Sequence, residues 1–228
     1  MSRHPMVGLL AVLSFPIPAD GQVQPVPIEF LSEGLRVRGN FFRAAATPAA
    51  ATLLLVPGWP GNPDDVLGLG ALLAGHRINV VMFNPRGLHR SEGTASFPNT
   101  LRDIAAALDW LRHSEVQQRF GVDTARLTLG GHSYGGGMAM AYAASDPSVR
   151  RVISIAGNDH GEFIRELRRN PTLAQTIRVM LARTRAPEGP GRFDLEADLE
   201  ELAAHQDVYG LRENAPKLAD RAILLIAG

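Results

Sequence analysis

The stretch GGHSYGGG at positions 130–137 constrains the fold of this chain most, because five of its eight positions are glycine around a single serine. Glycine serves where a backbone takes positive φ or where another segment must pass close by. An apolar run, RLTLGG, leads into the stretch, and a helix-forming run, YGGGMAMAYAAS, leads out of it. Gly131-His132-Ser133-Tyr134-Gly135 is thus a G-x-S-x-G pentapeptide between a strand and a helix, the setting in which it forms a strained turn presenting a nucleophilic serine. Side chains at 131 or 135 would collide with the neighbouring strand and helix. The competing reading is a glycine-rich turn with an ordinary N-cap serine, and the strand-turn-helix context favours the nucleophile.

Elsewhere the sequence alternates short apolar runs with longer helical stretches, which predicts an α/β fold: a mostly parallel sheet with helices on both faces. IEFLSEGLRVRGNFFR reads as an antiparallel hairpin turning at Glu33-Gly34. TLLLVPG, INVVMFNPRG, RLTLGGH, RVISIAG and AILLIAG read as buried strands, each ending in Gly or Pro or just past one. Helices are expected over Asp64 to Ala74, Asn99 to Arg112 and Tyr134 to Ala144, with Thr100-Leu101-Arg102-Asp103 as a capped helix start. The interval between Gly157 and Ala222 is far longer than one crossover helix needs, so 158–220 is expected to be a helical cap insertion over the carboxyl ends of the strands. Phe163, Leu167, Ile177, Met180 and Leu181 are expected on its core-facing sides. The resulting plan is a signal peptide over 1–21, a first core segment over 22–157, the cap over 158–220 and a seventh core strand over 221–228.

Charge narrows the partners. The 23 basic and 23 acidic residues cancel without a long run of one sign, which argues against a nucleic-acid partner or an anionic membrane surface. With no cysteine, thiolate catalysis, disulfides and thiolate metal sites are excluded. MSRHPMVGLLAVLSFPIPADGQ has a basic start, an apolar middle and small residues near Gln22, so a secreted or periplasmic protein is expected, and a cytoplasmic one if the segment is instead an apolar arm. No stretch is long enough to span a membrane.

A serine that attacks a carbonyl needs donors for the oxyanion that develops there. Tyr134 N–H, at the start of the helix after Ser133, is one candidate. The loop in LLLVPGWPGN offers the other; Pro57 and Pro60 have no N–H, and Trp59 is the choice among the remaining donors.

VPGWPGN, NPRGLHRSEG, DIAAALDWL and GHSYGG, in that order, resemble the α/β-hydrolase superfamily over about residues 34–228. The resemblance implies a mostly parallel eight-stranded sheet, a serine nucleophile, an oxyanion hole from the residue after Pro57-Gly58 and the one after Ser133, and often a helical cap. Esterases of the superfamily usually have His-Gly before the oxyanion residue; Pro57-Gly58 departs from that while keeping the backbone donor. SYGG is also similar to prolyl-oligopeptidase-type peptidases, which carry a short link after the sixth strand where this chain has its long insertion.

Ser133 needs an imidazole base oriented by a carboxylate. By resemblance the acid follows the seventh strand and the histidine the eighth, so both are expected beyond Gly228. The expectation is then that the last strand and helix are missing, that AILLIAG is left as an apolar sheet edge, and that the 228-residue chain alone is inactive. His4, His76, His89, His113 and His132 precede the serine, and His160 and His205 lie in the insertion; none fills the role comfortably. Asp159, just past the sixth strand, is a secondary candidate for the acid, with helix capping as the alternative, and His160 beside it is the first place to look for a base within the chain. No spaced His/carboxylate cluster suggests a metal, and no cofactor is implied. The function read from the sequence is a serine hydrolase that cleaves a carboxylic ester or related small acyl compound through an acyl-enzyme. A peptidase or amidase and a non-catalytic ligand-binding protein are the alternatives.

Overall fold

The computed structural model describes residues 23–45 and 48–227; segment 1–21, expected as a signal peptide, lies outside them. The chain begins with β1 (Val26–Ser32) and β2 (Leu35–Phe42), paired antiparallel from Val26↔Phe41 to Ser32↔Leu35. Glu33 at φ 49° and Gly34 at φ 81° make the turn, where the sequence places it. Two positive φ values in a two-residue loop match the right-handed twist of the flanking strands.

β3 (Ala50–Val56), β4 (Asn79–Asn84), β5 (Val122–His132), β6 (Arg151–Ile155) and β7 (Ala222–Ile226) complete a sheet of order β1-β2-β4-β3-β5-β6-β7. β2 meets β4 antiparallel, and every pairing from β4 to β7 is parallel. The connecting helices are α1 (Leu69–Gly75), α2 (Phe97–Arg112), α3 (Ser114–Phe120) and α4 (Tyr134–Ser145). Between β6 and β7 come α5 (His160–Arg169), α6 (Pro171–Ala182), α7 (Leu195–Ala204), α8 (Gln206–Tyr209) and α9 (Leu211–Asn214).

The central strands are apolar throughout because both faces of the sheet are covered. Leu54, Val56, Val81 and Phe83 join Ile104 and Leu108 of α2 and Met138 of α4 in one cluster. Their neighbours one residue away, Leu53, Leu55, Val80 and Met82, join Ala74 of α1 in another, as the two-residue period of a strand requires. The buried Arg86 and Asp103 are paired. Arg86, just past β4, donates from its backbone N–H and from Nε to the two oxygens of fully buried Asp103 on α2, and its guanidinium reaches Ser32 and Glu33 at the hairpin turn.

Three expectations from the sequence need correction. The helix expected over 64–74 is interrupted: Leu67 (φ 57°) and Gly68 (φ 70°) are left-handed, and α1 begins only at Leu69, with the Asp65 carboxylate accepting from the Gly70 and Ala71 amides. The capped start at Thr100–Asp103 lies inside α2. Ser96 is the N-cap, its Oγ accepting from Asn99 N–H at 3.2 Å, and Pro98 occupies the first turn, where it gives up no hydrogen bond. Met180, expected against the core, is 53% exposed. β7 lies at the edge expected for it: among the described residues it pairs with β6 alone, and Leu224 and Leu225 are 51% and 66% exposed.

Candidate active site

β5 ends at His132 and α4 begins at Tyr134, so Ser133 alone makes the turn between them, at φ 52°, ψ −117°. A non-glycine residue there costs about 1–3 kcal/mol and persists only where its surroundings over-determine it. They do so here. Ser133 N–H donates to Ile155 O at 2.9 Å, and Ser133 O accepts from the amides of Gly136, Gly137 and Asn158. The flanking glycines are sterically required: a Cβ on Gly131 would lie 2.1 Å from Gly135 O, and one on Gly135 would lie 2.2 Å from Val56 O. The turn is therefore wedged against the end of β3, which brings the loop after β3 beside the serine.

That loop carries Gly58, where an added Cβ would lie 3.3 Å from Ser133 Cβ, and then Trp59. Among the described residues neither Trp59 N–H nor Tyr134 N–H has an acceptor; Tyr134, first in α4, has no intrahelical one by construction. The Trp59 indole stands edge-on to Tyr134 and Phe193 at centroid distances of 5.6 and 4.8 Å, and its Nε1 donates to Thr184 Oγ1 at 2.9 Å. Segment 184–193 is stitched down here. Leu88 and Ala95 form β-bridges with Gly191 and Phe193, and the Arg192 guanidinium donates to carbonyls at His89, Ser91 and Gly93.

A cavity of about 150 Å³ opens beside Ser133 under the helices between β6 and β7. Trp59, Phe97, Tyr134, Phe163 and Phe193 give it an aromatic lining, and leucines of α6 and α7 close it. Its polar wall consists of Ser96, Ser133, Asn158, His160 and Asp198. Phe163 and Leu181, expected to be core, line this cavity, whereas Leu167 is buried in the core as expected.

His160 is 1% exposed, and both ring nitrogens are engaged. Nε2 lies 3.1 Å from Tyr134 O, and Nδ1 lies 3.0 Å from Asn158 Nδ2. A carbonyl only accepts, so Nε2 carries the proton and Nδ1 accepts from the amide. Burial pulls the imidazole down to about 4, against smaller upward pulls from the Tyr134 carbonyl and Asp159. His160 is thus a neutral structural ring, edge-on to Phe97 at 5.0 Å. Asp159 is the N-cap of α5, its Oδ1 accepting from Glu162 N–H at 2.9 Å. His132 Nδ1 lies against Gly58. Among the described residues, no histidine or carboxylate is hydrogen bonded to Ser133 Oγ, and no group of three or more His, Asp or Glu is placed to hold a metal ion. No helix among them is long and apolar enough to cross a membrane.

The residue that the sequence reading missed is Asp198. It is 8% exposed, lines the cavity from α7, and is pushed up to about 7 by burial; the Phe97 N–H pulls it down, and the charges of Asp194 and Glu201 add to the rise. A signal was present. Asp198 stands three residues after Leu195 and four before Leu202, within the apolar stripe of its own helix.

Residues 51–180 match the family model described as alpha/beta hydrolase fold. The chain is 33% identical over 141 residues to the uncharacterized protein YfhR of Salmonella typhi, covering 58% of this chain and 47% of that protein. It is 28% identical over 173 residues to the thiohydrolase aneE of Aspergillus aculeatus, covering 72% of this chain and 52% of that one. The chain spans about half the length of these curated relatives. The crystal structure of the hypothetical protein PA2218 from Pseudomonas aeruginosa superposes with a TM-score of 0.62 at 16% identity, over 96% of this chain and 82% of that one, which is a likeness of fold.

Proposed function

Given that the chain belongs to the alpha/beta hydrolase fold family, we propose that it carries the nucleophile and oxyanion hole of a serine hydrolase acting on a carboxylic ester or related acyl compound. Ser133 Oγ attacks the acyl carbonyl, and the tetrahedral oxyanion is met by the N–H groups of Trp59 and Tyr134, the latter at the positive end of α4. Collapse of that intermediate expels the alcohol or thiol and leaves an acyl-serine, which water then releases. One observation carries the reading: Ser133 is held at φ 52°, ψ −117° by two glycines that have no room for a Cβ, facing a cavity. A thiohydrolase among the relatives is consistent with acyl transfer.

The base is the second part of the proposal. His160 is committed to Tyr134 O and Asn158, and Asp159 caps α5, so the imidazole and carboxylate that activate Ser133 are taken to come from residues following Gly228. The helices over 158–220 are the cap that shapes the acyl pocket, and the chain is taken to be exported through a signal over 1–21. The test is covalent labelling of the longer chain with a fluorophosphonate and mapping of the adduct. Labelling should fall on Ser133 and vanish in Ser133→Ala; equal labelling of the variant sinks the assignment. A panel of matched esters and aminoacyl amides then separates esterase from peptidase. Ligand binding without labelling would turn the reading to a non-catalytic binding protein.

A further inference from the structure

We propose that the cavity beside Ser133 selects an acyl group bearing a hydroxyl on a single six-membered ring, and that Asp198 is the residue that reads this hydroxyl. This rests on the acyl-hydrolase reading only for the identity of the bound group as acyl. The size limit comes from the volume, about 150 Å³. An apolar cavity of about that volume accepts one benzene-sized molecule. The lining suits a flat ring: Trp59, Phe97 and Phe193 border the space, with Trp59 and Phe193 packed against each other at 4.8 Å.

Asp198 is the odd member of this wall. The residue is 8% exposed, its carboxyl borders the cavity, the backbone N–H of Phe97 is the donor that acts on it, and among the described residues no arginine or lysine pairs with it. A carboxylate has about four acceptor sites, so most of this group's hydrogen-bonding capacity is unused. Spare acceptor capacity on the wall of a largely apolar cavity is placed to take a donor that arrives with a ligand. A hydroxyl fits better than an ammonium. It donates to the ionised carboxyl and accepts from the protonated one, whereas an ammonium bonds only the ionised form and must itself be stripped of water in an apolar space. Two hydroxyl-bearing alternatives, an aliphatic and an aromatic ring, are separated by the aromatic lining, which favours the latter.

The probes are p-cresol, toluene and benzylamine, titrated at pH 8 by ligand-observed NMR into the 228-residue chain carrying Ser133→Ala, which cannot be acylated. The result expected is p-cresol binding about tenfold tighter than toluene and tighter than benzylamine, as a charge-assisted hydrogen bond provides. In an added Asp198→Ala the preference should shrink to under about threefold with toluene affinity kept. Asp198→Asn, which preserves shape and fold, should lower the preference at least about threefold, since a neutral amide oxygen accepts more weakly than a carboxylate. Equal affinities for p-cresol and toluene overturn the proposal. So does tightest binding of benzylamine, or an unchanged preference in either Asp198 variant. Binding is read without turnover, so failure of Ser133 labelling would sink the hydrolase reading and leave this result standing, and the reverse also holds.

Discussion

Trp59 and Thr184, 125 residues apart in sequence, are joined by a hydrogen bond of 2.9 Å from the indole Nε1 to the threonine Oγ1. The bond ties the loop after β3, which carries a proposed oxyanion donor, to the end of α6. Thr184→Val should orphan a partly buried indole N–H and cost about 1–3 kcal/mol in urea unfolding. It should also widen the distribution of Trp59 environments, read as a red-shifted emission in a Trp110→Phe background. An unshifted emission and an unchanged midpoint would mean that the segment is held by its backbone bridges alone.

The elbow makes a steric prediction. Gly135→Ala would put a Cβ 2.2 Å from Val56 O, a backbone atom at the carboxyl end of the central strand β3 that cannot swing away. Overpacking of this kind costs about 1–3 kcal/mol where flexible side chains can yield, and more against fixed backbone. The variant should lose solubility or unfold at clearly lower denaturant, while Gly75→Ala, where a Cβ meets nothing within 4 Å, serves as the neutral control.

Much of this was legible in the sequence, for identifiable reasons. The parallel strands announce themselves as unbroken apolar runs because both faces are buried, and Glu33-Gly34 fixes the hairpin register locally. Ser133 could be located because its turn has to be written in glycine. What escaped depended on distant partners. Thr100 and Asp103 look like a helix start, but they are interior residues of α2: the Thr100 hydroxyl donates to Ser96 O and accepts from the Tyr134 hydroxyl, and Asp103 holds Arg86. Phe193 and Asp198 reach the cavity only once the helices between β6 and β7 have folded back over Ser133.

Asp198 sets a pH dependence of stability. Its carboxyl titrates at about 7 in the folded chain, against about 3.9 when unfolded. A raised carboxyl favours the folded state while protonated, so its contribution is fully present below about pH 4 and is lost as pH rises through about 7. The other titratable side chains lining the cavity, His160 and Tyr134, do not change charge between pH 5 and 8: burial holds His160 neutral down to about 4 and pushes Tyr134 upward. Asp198→Asn should therefore melt at least about 2–4 °C above the unsubstituted chain at pH 8 and show no such gain at pH 4. A gain of the same size at both pH values would assign the effect to packing.

The exposed edge at β7 predicts association. Ile223, Leu224, Leu225 and Ile226 are between 38% and 66% exposed on a strand paired along one side only. Such an edge offers unpaired backbone groups to another chain. The 228-residue chain should self-associate at tens of micromolar by light scattering, and Leu225→Lys should reduce this. A monodisperse monomer would contradict the prediction.

The remaining prediction concerns the proton of Ser133. For His160 to accept it, the ring would have to leave Tyr134 O and Asn158 together and take up charge in a site that holds it at about 4. The 228-residue chain should therefore hydrolyse p-nitrophenyl acetate no faster than its Ser133→Ala variant beyond what oxyanion donors alone supply. Residual catalysis of that kind is about 10³–10⁴-fold over water in triad-deleted proteases, well below a complete site. The pH profile identifies the base. A longer chain whose base is an ordinary imidazole should gain activity on a limb near pH 6.5, and His160→Gln should leave that limb in place. A limb near 4, abolished together with Ser133 labelling by His160→Gln in a chain that still melts cooperatively, would instead make His160 the base and place the acceptor inside these 228 residues.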